Sequence, residues 1–244
     1  MRVVITGSRG FIGSHLQNKL ESHGHEIIEW DHHIEKPIEN FKLGDADYVV
    51  HMAAWADVRA SIKDPDIYWA NNVTNTTRIQ LECHKAEVPL IYASSSCIHE
   101  WHKSPYGISK KVNEETAFPG QVALRFTTVY GGRGAQRGMF MDKIKDGKIK
   151  HVTPHVRDFV HIDDVINAIT LIMNLDIYSL KPAYDIGTGH GNQVKDLASL
   201  AGYDLPLQDG DACEAQDNTA DITAMQELGW HPTINIKDYI KESL

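Results

Sequence analysis

Tyr106 and Lys110 stand one helical turn apart, about ten residues after a run of three serines, Ser94-Ser95-Ser96. Side chains at i and i+4 share a helix face, which puts a phenol beside an ammonium. A free tyrosine has a pKa of about 10, and using it as a base near pH 7 requires a lowering worth about 4 kcal/mol. A neighbouring ammonium can supply much of that by stabilising the phenolate, and a cationic cofactor ring can add to it. A serine hydroxyl aimed at the same substrate oxygen would hold an alcohol or a carbonyl in line. The chemistry is proton exchange with an alcohol that is being oxidised or a carbonyl that is being reduced. The ordinary alternative is a solvated helix face, because a chain with 9 tyrosines offers chance pairs.

The elements that must position these groups begin at the N-terminus. The apolar run Val3-Val4-Ile5 leads into Thr6-Gly7-Ser8-Arg9-Gly10-Phe11-Ile12-Gly13, and Ile12, Leu16 and Leu20 continue at helical spacing. This reads as strand, tight turn and helix. Gly7 supplies a turn with positive φ, Gly10 lets the backbone approach a diphosphate, and Gly13 lets the helix pack closely on the strand. The N-terminus of that helix presents unpaired N–H groups to an anion. A second strand, Glu26–Trp30, ends in Asp31, roughly twenty residues past the glycines, where a carboxylate accepts both hydroxyls of an adenosine ribose. A carboxylate there repels a 2′-phosphate, so NAD is expected rather than NADP.

Strands and helices alternate beyond this point. Tyr48-Val49-Val50-His51 reads as a buried strand closing on Met52-Ala53-Ala54, and Ile67 to Lys85 as a crossing helix. Pro89–Ala93 is a strand, Tyr106–Phe118 a helix stopped by Pro119-Gly120, and Val122–Phe126 a strand. Further on, Met139–Asp146, Asp163–Leu175, Val194–Ala201 and Thr223–Leu228 read as helices, Lys148–Val152 as extended, and Ala183–Ile186 as a strand. This rhythm predicts an α/β fold: a Rossmann-like, doubly wound parallel sheet with right-handed crossovers and a small interleaved C-terminal substrate lobe. Residues 1–126 plus 158–186 form the predicted dinucleotide domain, and 127–157 plus 187–244 the substrate lobe.

Bulk properties narrow the class. The 244 residues are 42% hydrophobic and 23% charged, as in an ordinary soluble globule, and the formal net charge of −9 argues against nucleic-acid binding. No apolar run approaches the roughly twenty residues of a membrane helix. No leader is expected, since the chain reads as a core strand from residue 2. Cys83, Cys97 and Cys213 lack zinc-site spacing and cannot all pair, which predicts a reducing cytoplasm. Among 14 histidines, neither His32-His33 nor His99 and His102 near Cys97 forms a recognised ligand pattern, so no metal is expected.

Together these motifs resemble the extended short-chain dehydrogenase/reductase superfamily, in the NAD-dependent epimerase/dehydratase branch that acts on nucleotide sugars. The resemblance rests on Thr6–Gly13, Asp31, His51–Ala54, Asn72-Val73, Ser94–Ser96 and Tyr106…Lys110. It continues through Leu124-Arg125…Tyr130-Gly131, Arg157–Asp164, Tyr184–Gly189 and Ala220-Asp221…Leu228-Gly229-Trp230. It implies Tyr106 as general base and acid, with Lys110 as its partner and a ligand of the nicotinamide ribose. It implies Ser95 as the catalytic hydroxyl, with its neighbour Ser96 left open. Cofactor contacts are implied for Gly7, Gly10, Phe11, Ile12, Gly13, Asp31, Met52, Ala53, Ala54, Asn72 and Ser94. Substrate contacts are implied for Ser95, Ser96, Thr128, Arg157 and Asp211.

Three departures stand out. Only about fourteen residues separate Asp31 from Asp45, too few for the family's third strand and helix, so the sheet is expected one strand short of seven. Thr127-Thr128 occupy the place of an aromatic–asparagine pair. Gln208 stands where an arginine would grip a diphosphate, a charge-assisted bond roughly twice as strong as a neutral one; Arg133, Arg137 or Arg157 could take its place. The resulting expectation is an NAD-dependent nucleotide-sugar epimerase, acting at C4 on a UDP- or GDP-linked sugar. The alternatives are an NAD-dependent reductase or dehydrogenase of a sugar or small carbonyl, then a dehydratase or a non-enzymatic dinucleotide-binding protein. The resemblance also implies a homodimer formed through helices 67–85 and 106–118.

Overall fold

The computed structural model describes residues 1–132 and 139–243. Its centre is a six-stranded, all-parallel sheet in the order β2-β1-β3-β4-β5-β8. The strands are β1 (Arg2–Thr6), β2 (Glu26–Trp30), β3 (Tyr48–His51), β4 (Leu90–Ser95), β5 (Gln121–Phe126) and β8 (Ala183–Ile186). Two short 3-10 turns, His32–Ile34 and Ile38–Asn40, replace the missing strand after β2, leaving β2 at the edge. Strands β1, β3 and β4 read as unbroken apolar runs because both faces of the sheet are covered. One face packs under helices α1 (Phe11–Ser22) and α7 (Ile162–Met173), with Leu16, Leu20, Val165, Ile169 and Ile172 against Val3, Ile5 and Leu124. The other packs Ile79 and Cys83 against Val4, Val49, Leu90 and Tyr92.

The helix read as Ile67–Lys85 starts earlier and is not uniform. Asp64 caps it with Pro65 in the first turn, and Pro65–Tyr68 (α3) passes through a π-helical stretch, Trp69–Asn75, into Thr76–Lys85 (α4). A short helix before it, α2 (Val58–Lys63), carries no strong periodic signal in sequence. Helix α5 (Pro105–Glu115) begins at a cap from Ser104, whose hydroxyl accepts from Gly107 N–H at 3.0 Å.

A second sheet holds β6 (Thr128–Tyr130), β7 (Val156–His161) and β9 (Gly191–Gln193), with β7 parallel to β6 and antiparallel to β9. Around it lie α6 (Phe140–Lys145), α8 (Val194–Leu200), α9 (Thr223–Glu227) and α10 (Ile236–Ser243). The expected extension at 148–152 forms no ladder; Val152 makes a single bridge to Leu207. Two buried carboxylates pin this region, each by backbone N–H groups that burial would otherwise leave unpaired. Asp158 accepts from the N–H groups of Thr188, Gly189 and Ala220 at 2.8–3.2 Å. Asp164 accepts from Thr233 and Ile234 at 3.0 and 3.1 Å. No helix among the described residues is long and apolar enough to cross a membrane.

Candidate active site

The site lies at the carboxyl ends of β1, β3 and β4, where open parallel sheets leave a crevice. Gly7 has φ of +68°, and a Cβ at Gly13 would stand 2.0 Å from the Gly7 carbonyl oxygen. The turn therefore closes only with glycine at both places. Gly10 caps α1 without a side-chain bond, which leaves the first N–H groups of the helix, around Phe11 and Ile12, for an anion. The buried Asp31 carboxylate accepts from Arg9 N–H at 3.0 Å and His33 N–H at 2.9 Å, so it is fixed beside the glycine turn. Met52, Ala53 and Ala54 close the opposite side: Met52 N–H donates to the Thr6 carbonyl at 3.0 Å, and Ala53 N–H to Thr6 Oγ1 at 3.3 Å. A cradle that a Cβ would fill, a free helix N-terminus and a fixed carboxylate fit a dinucleotide. His32 and His33 bring ligand atoms within 4.8 Å of Asp31, but both histidines are exposed and the carboxylate is already engaged.

At the next strand the chain assembles Ser95, Tyr106 and Lys110. Ser95 ends β4, and its hydroxyl accepts from Cys97 N–H at 3.2 Å as the chain enters the 3-10 segment Ser96–Lys103. Tyr106 is buried on the first turn of α5, its N–H donating to Ser61 Oγ at 3.2 Å. The Lys110 ammonium donates to the Ala93 carbonyl at 2.7 Å and lies 5.7 Å from the centroid of the Tyr106 ring. Burial pushes the Tyr106 phenol above its ordinary value; the Cys97 thiol adds to this, and the Ser95 hydroxyl opposes it. The lowering comes from the Ser95 hydroxyl rather than from Lys110 as expected, and desolvation outweighs it. Burial also brings Lys110 down to about 8, against an upward pull from Glu114.

Other predicted residues take different partners. The Asn72 amide, in the π-helical stretch, accepts from Trp55 N–H at 2.9 Å and donates to the Trp55 carbonyl at 2.8 Å, bracing the loop that follows Ala54. Ser94 turns to Glu114, donating at 2.6 Å, and Glu114 is itself held by Arg125. Thr128 and Ser96 share one partner absent from the sequence reading: Asn218 Nδ2 reaches Thr128 Oγ1 at 3.3 Å and Ser96 Oγ at 3.5 Å, while its Oδ1 accepts from Asp158 N–H at 2.8 Å. Arg157 donates to Glu214 at 2.9 Å and to the Ala215 carbonyl at 2.8 Å, and Asp211 pairs with Arg59. Gln208 donates its backbone N–H to the Val152 carbonyl at 2.9 Å. Arg133 and Arg137 lie outside the described residues. Glu114 was legible one turn past Lys110; Arg59, Glu214 and Asn218 carry no local signal.

The fold is that of an extended short-chain dehydrogenase/reductase. The sequence model of the NAD dependent epimerase/dehydratase family matches residues 3–187, and the chain belongs to that family of NAD-dependent enzymes. It is similar to a UDP-glucose 4-epimerase of Lactobacillus helveticus, with 26% identity and coverage of 98% of this chain and 95% of that one. That alignment runs over 314 positions against a chain of 244 residues, so the shortening is internal. Among solved structures, MoeE5 in complex with UDP-glucuronic acid and NAD superposes with a TM-score of 0.84 at 26% identity, covering 99% of this chain and 97% of that one. The UDP-glucuronic acid 4-epimerase of Bacillus cereus, also with UDP-glucuronic acid and NAD, gives 0.83 at 25% identity, with both chains covered completely.

Proposed function

We propose that the protein is a nucleotide-sugar 4-epimerase that retains its NAD. The observation that carries this reading is the assembly of Ser95, Tyr106 and Lys110 at the end of β4, beside the glycine cradle. Tyr106 takes the proton of the sugar C4 hydroxyl and later returns it, and Ser95 donates to the same oxygen. Lys110, Asp31, the glycine turn and Ala53 hold the cofactor. Bound there, NAD would supply positive charge to the pocket and a reversible acceptor for the C4 hydride. Burial raises the pKa of the phenol, and a positive charge beside it would lower it again, which would tie base strength to the oxidised cofactor. Ser96 and Thr128, with Asn218, line the sugar side, and UDP-linked sugars are the first substrates to test, because the similar enzymes are named for them.

The test is to incubate the purified protein with UDP-glucose, UDP-galactose, UDP-glucuronate and GDP-mannose and follow C4 stereochemistry by proton NMR without added cofactor. Interconversion without net NADH, abolished in Tyr106→Phe, supports the reading. Stoichiometric NADH with substrate would replace it by the dehydrogenase reading, which the absence of a cation at Gln208 favours. The same preparation tests the homodimer by light scattering; its proposed surface is the long helix ending at Lys85, where Ile67, Trp69 and Leu81 are exposed.

A further inference from the structure

Helix α5 grips strand β4 at two successive residues. Lys110 and Glu114 stand one turn apart on α5 and share a face. The Lys110 ammonium donates to the Ala93 carbonyl at 2.7 Å, and the Ser94 hydroxyl donates to Glu114 Oε1 at 2.6 Å. The next residue of the strand is Ser95, and one turn before Lys110 on the helix stands Tyr106. The two grips therefore fix the strand end that carries the serine against the helix that carries the phenol.

Glu114 is itself held from the neighbouring strand. Arg125 of β5 lies in register with Ser94 and donates to both carboxylate oxygens, from Nε at 3.0 Å and from Nη2 at 2.6 Å. Glu114 keeps 10% of its side-chain exposure and Arg125 24%, so solvent screens the pair little. On its far side Arg125 Nη1 lies 3.6 Å from Asp185 of β8, in register with it, and Asp185 lies 2.8 Å from the exposed His99. Charges thus alternate outward from the buried ammonium through Glu114, Arg125 and Asp185. The other titratable groups around Lys110 are Cys97 on the 3-10 segment, Tyr106 on α5 and His51 on β3, and burial disfavours the charged form of each. Glu114 is the carboxylate that acts on the ammonium.

We infer that Glu114 is a positioning residue of the reaction: clamped by Arg125 and bound to Ser94, it fixes α5 on β4 and supplies the negative charge that offsets burial of the Lys110 ammonium. It touches neither substrate nor cofactor and acts through Lys110 and through the placing of Ser95 opposite Tyr106. Its role in turnover rests on the nucleotide-sugar reading above, whereas its hold on Lys110 belongs to the chain alone.

The experiment is an NMR pH titration of the full-length, cofactor-free protein with its lysines carbon-13 labelled at Cε, the Lys110 signal being the one lost in Lys110→Met. In the native chain its midpoint should lie near 8. Glu114→Gln keeps the shape and removes the charge, and the ionisation constant of Lys110 should rise about tenfold, bringing the midpoint near 7. A merely structural role predicts the opposite, since a loosened helix admits water and moves the lysine back toward 10.5. Should Glu114→Gln fail to fold because Arg125 loses its partner, Glu114→Gln with Arg125→Gln removes both charges and carries the same test. On any UDP-sugar that the native chain epimerises, Glu114→Gln should also lose about tenfold in kcat with KM little changed. A midpoint that stays or rises, or an unchanged kcat, overturns the assignment. If the native chain turns over no nucleotide sugar, the epimerase reading fails and the titration by itself decides whether Glu114 holds Lys110.

Discussion

Lys110 should lower the stability of the fold it serves. Its ammonium is buried with one close acceptor among the described residues, the Ala93 carbonyl at 2.7 Å, and burial lowers its pKa from 10.5 to about 8. That fall amounts to about 3 kcal/mol of unfavourable charge burial at neutral pH. Lys110→Met removes the charge and keeps most of the volume, but strands the Ala93 carbonyl, which costs about 1–2 kcal/mol. The expected net is a stabilisation of about 1–2 kcal/mol at pH 7, measured by urea unfolding of cofactor-free protein, together with loss of turnover. The pH dependence follows from the sign. The unfolded lysine holds its proton up to about 10.5 and the folded one only to about 8, so between these values the unfolded chain binds more protons. Native stability should therefore rise as pH goes from 8 to 10.5, and the advantage of Lys110→Met should shrink over that window. A variant less stable than the native chain at pH 7, with a native chain insensitive to pH above 8, would refute the assignment of a buried, strained ammonium.

Gly13→Ala places a methyl 2.0 Å from the Gly7 carbonyl oxygen, a backbone atom that cannot yield cheaply. NAD affinity by fluorescence titration should fall at least about a hundredfold, with destabilisation of about 1–3 kcal/mol in a thermal melt. His51 is buried between Thr6 Oγ1 at 2.6 Å and Thr76 Oγ1 at 2.9 Å, and burial, aided by the Lys110 charge, lowers it to about 3. It folds neutral, so below its unfolded value of 6.5 the native state should lose about 1.4 kcal/mol per pH unit down to about 3, and His51→Gln should flatten that slope in acid denaturation. Asn218→Asp exchanges the donor facing Ser96 and Thr128 for an acceptor while keeping an acceptor for Asp158 N–H. Steady-state kinetics should show kcat/KM down about tenfold at an unchanged melting temperature.

What the sequence determined unaided was local. Helix and strand periods and the glycine spacing each depend on dihedral preferences and side-chain direction over a few residues. The short link after Asp31 was equally decisive, because a chain of that length cannot form another strand and crossover. The pairings that decide what the site can do are of another kind. Ser94 turned from the crevice to Glu114, Asn72 was taken up by Trp55, and Asn218 came to Ser96 from 122 residues away. Arg59 and Arg157 met on Glu214. The direction of the Tyr106 shift also reversed from the sequence reading, since i and i+4 spacing reports that an ammonium is near but not how much water is excluded around the phenol. Burial and charge pairing are properties of surfaces brought together by the fold, and desolvation acts on a group according to everything that encloses it rather than its neighbours along the chain.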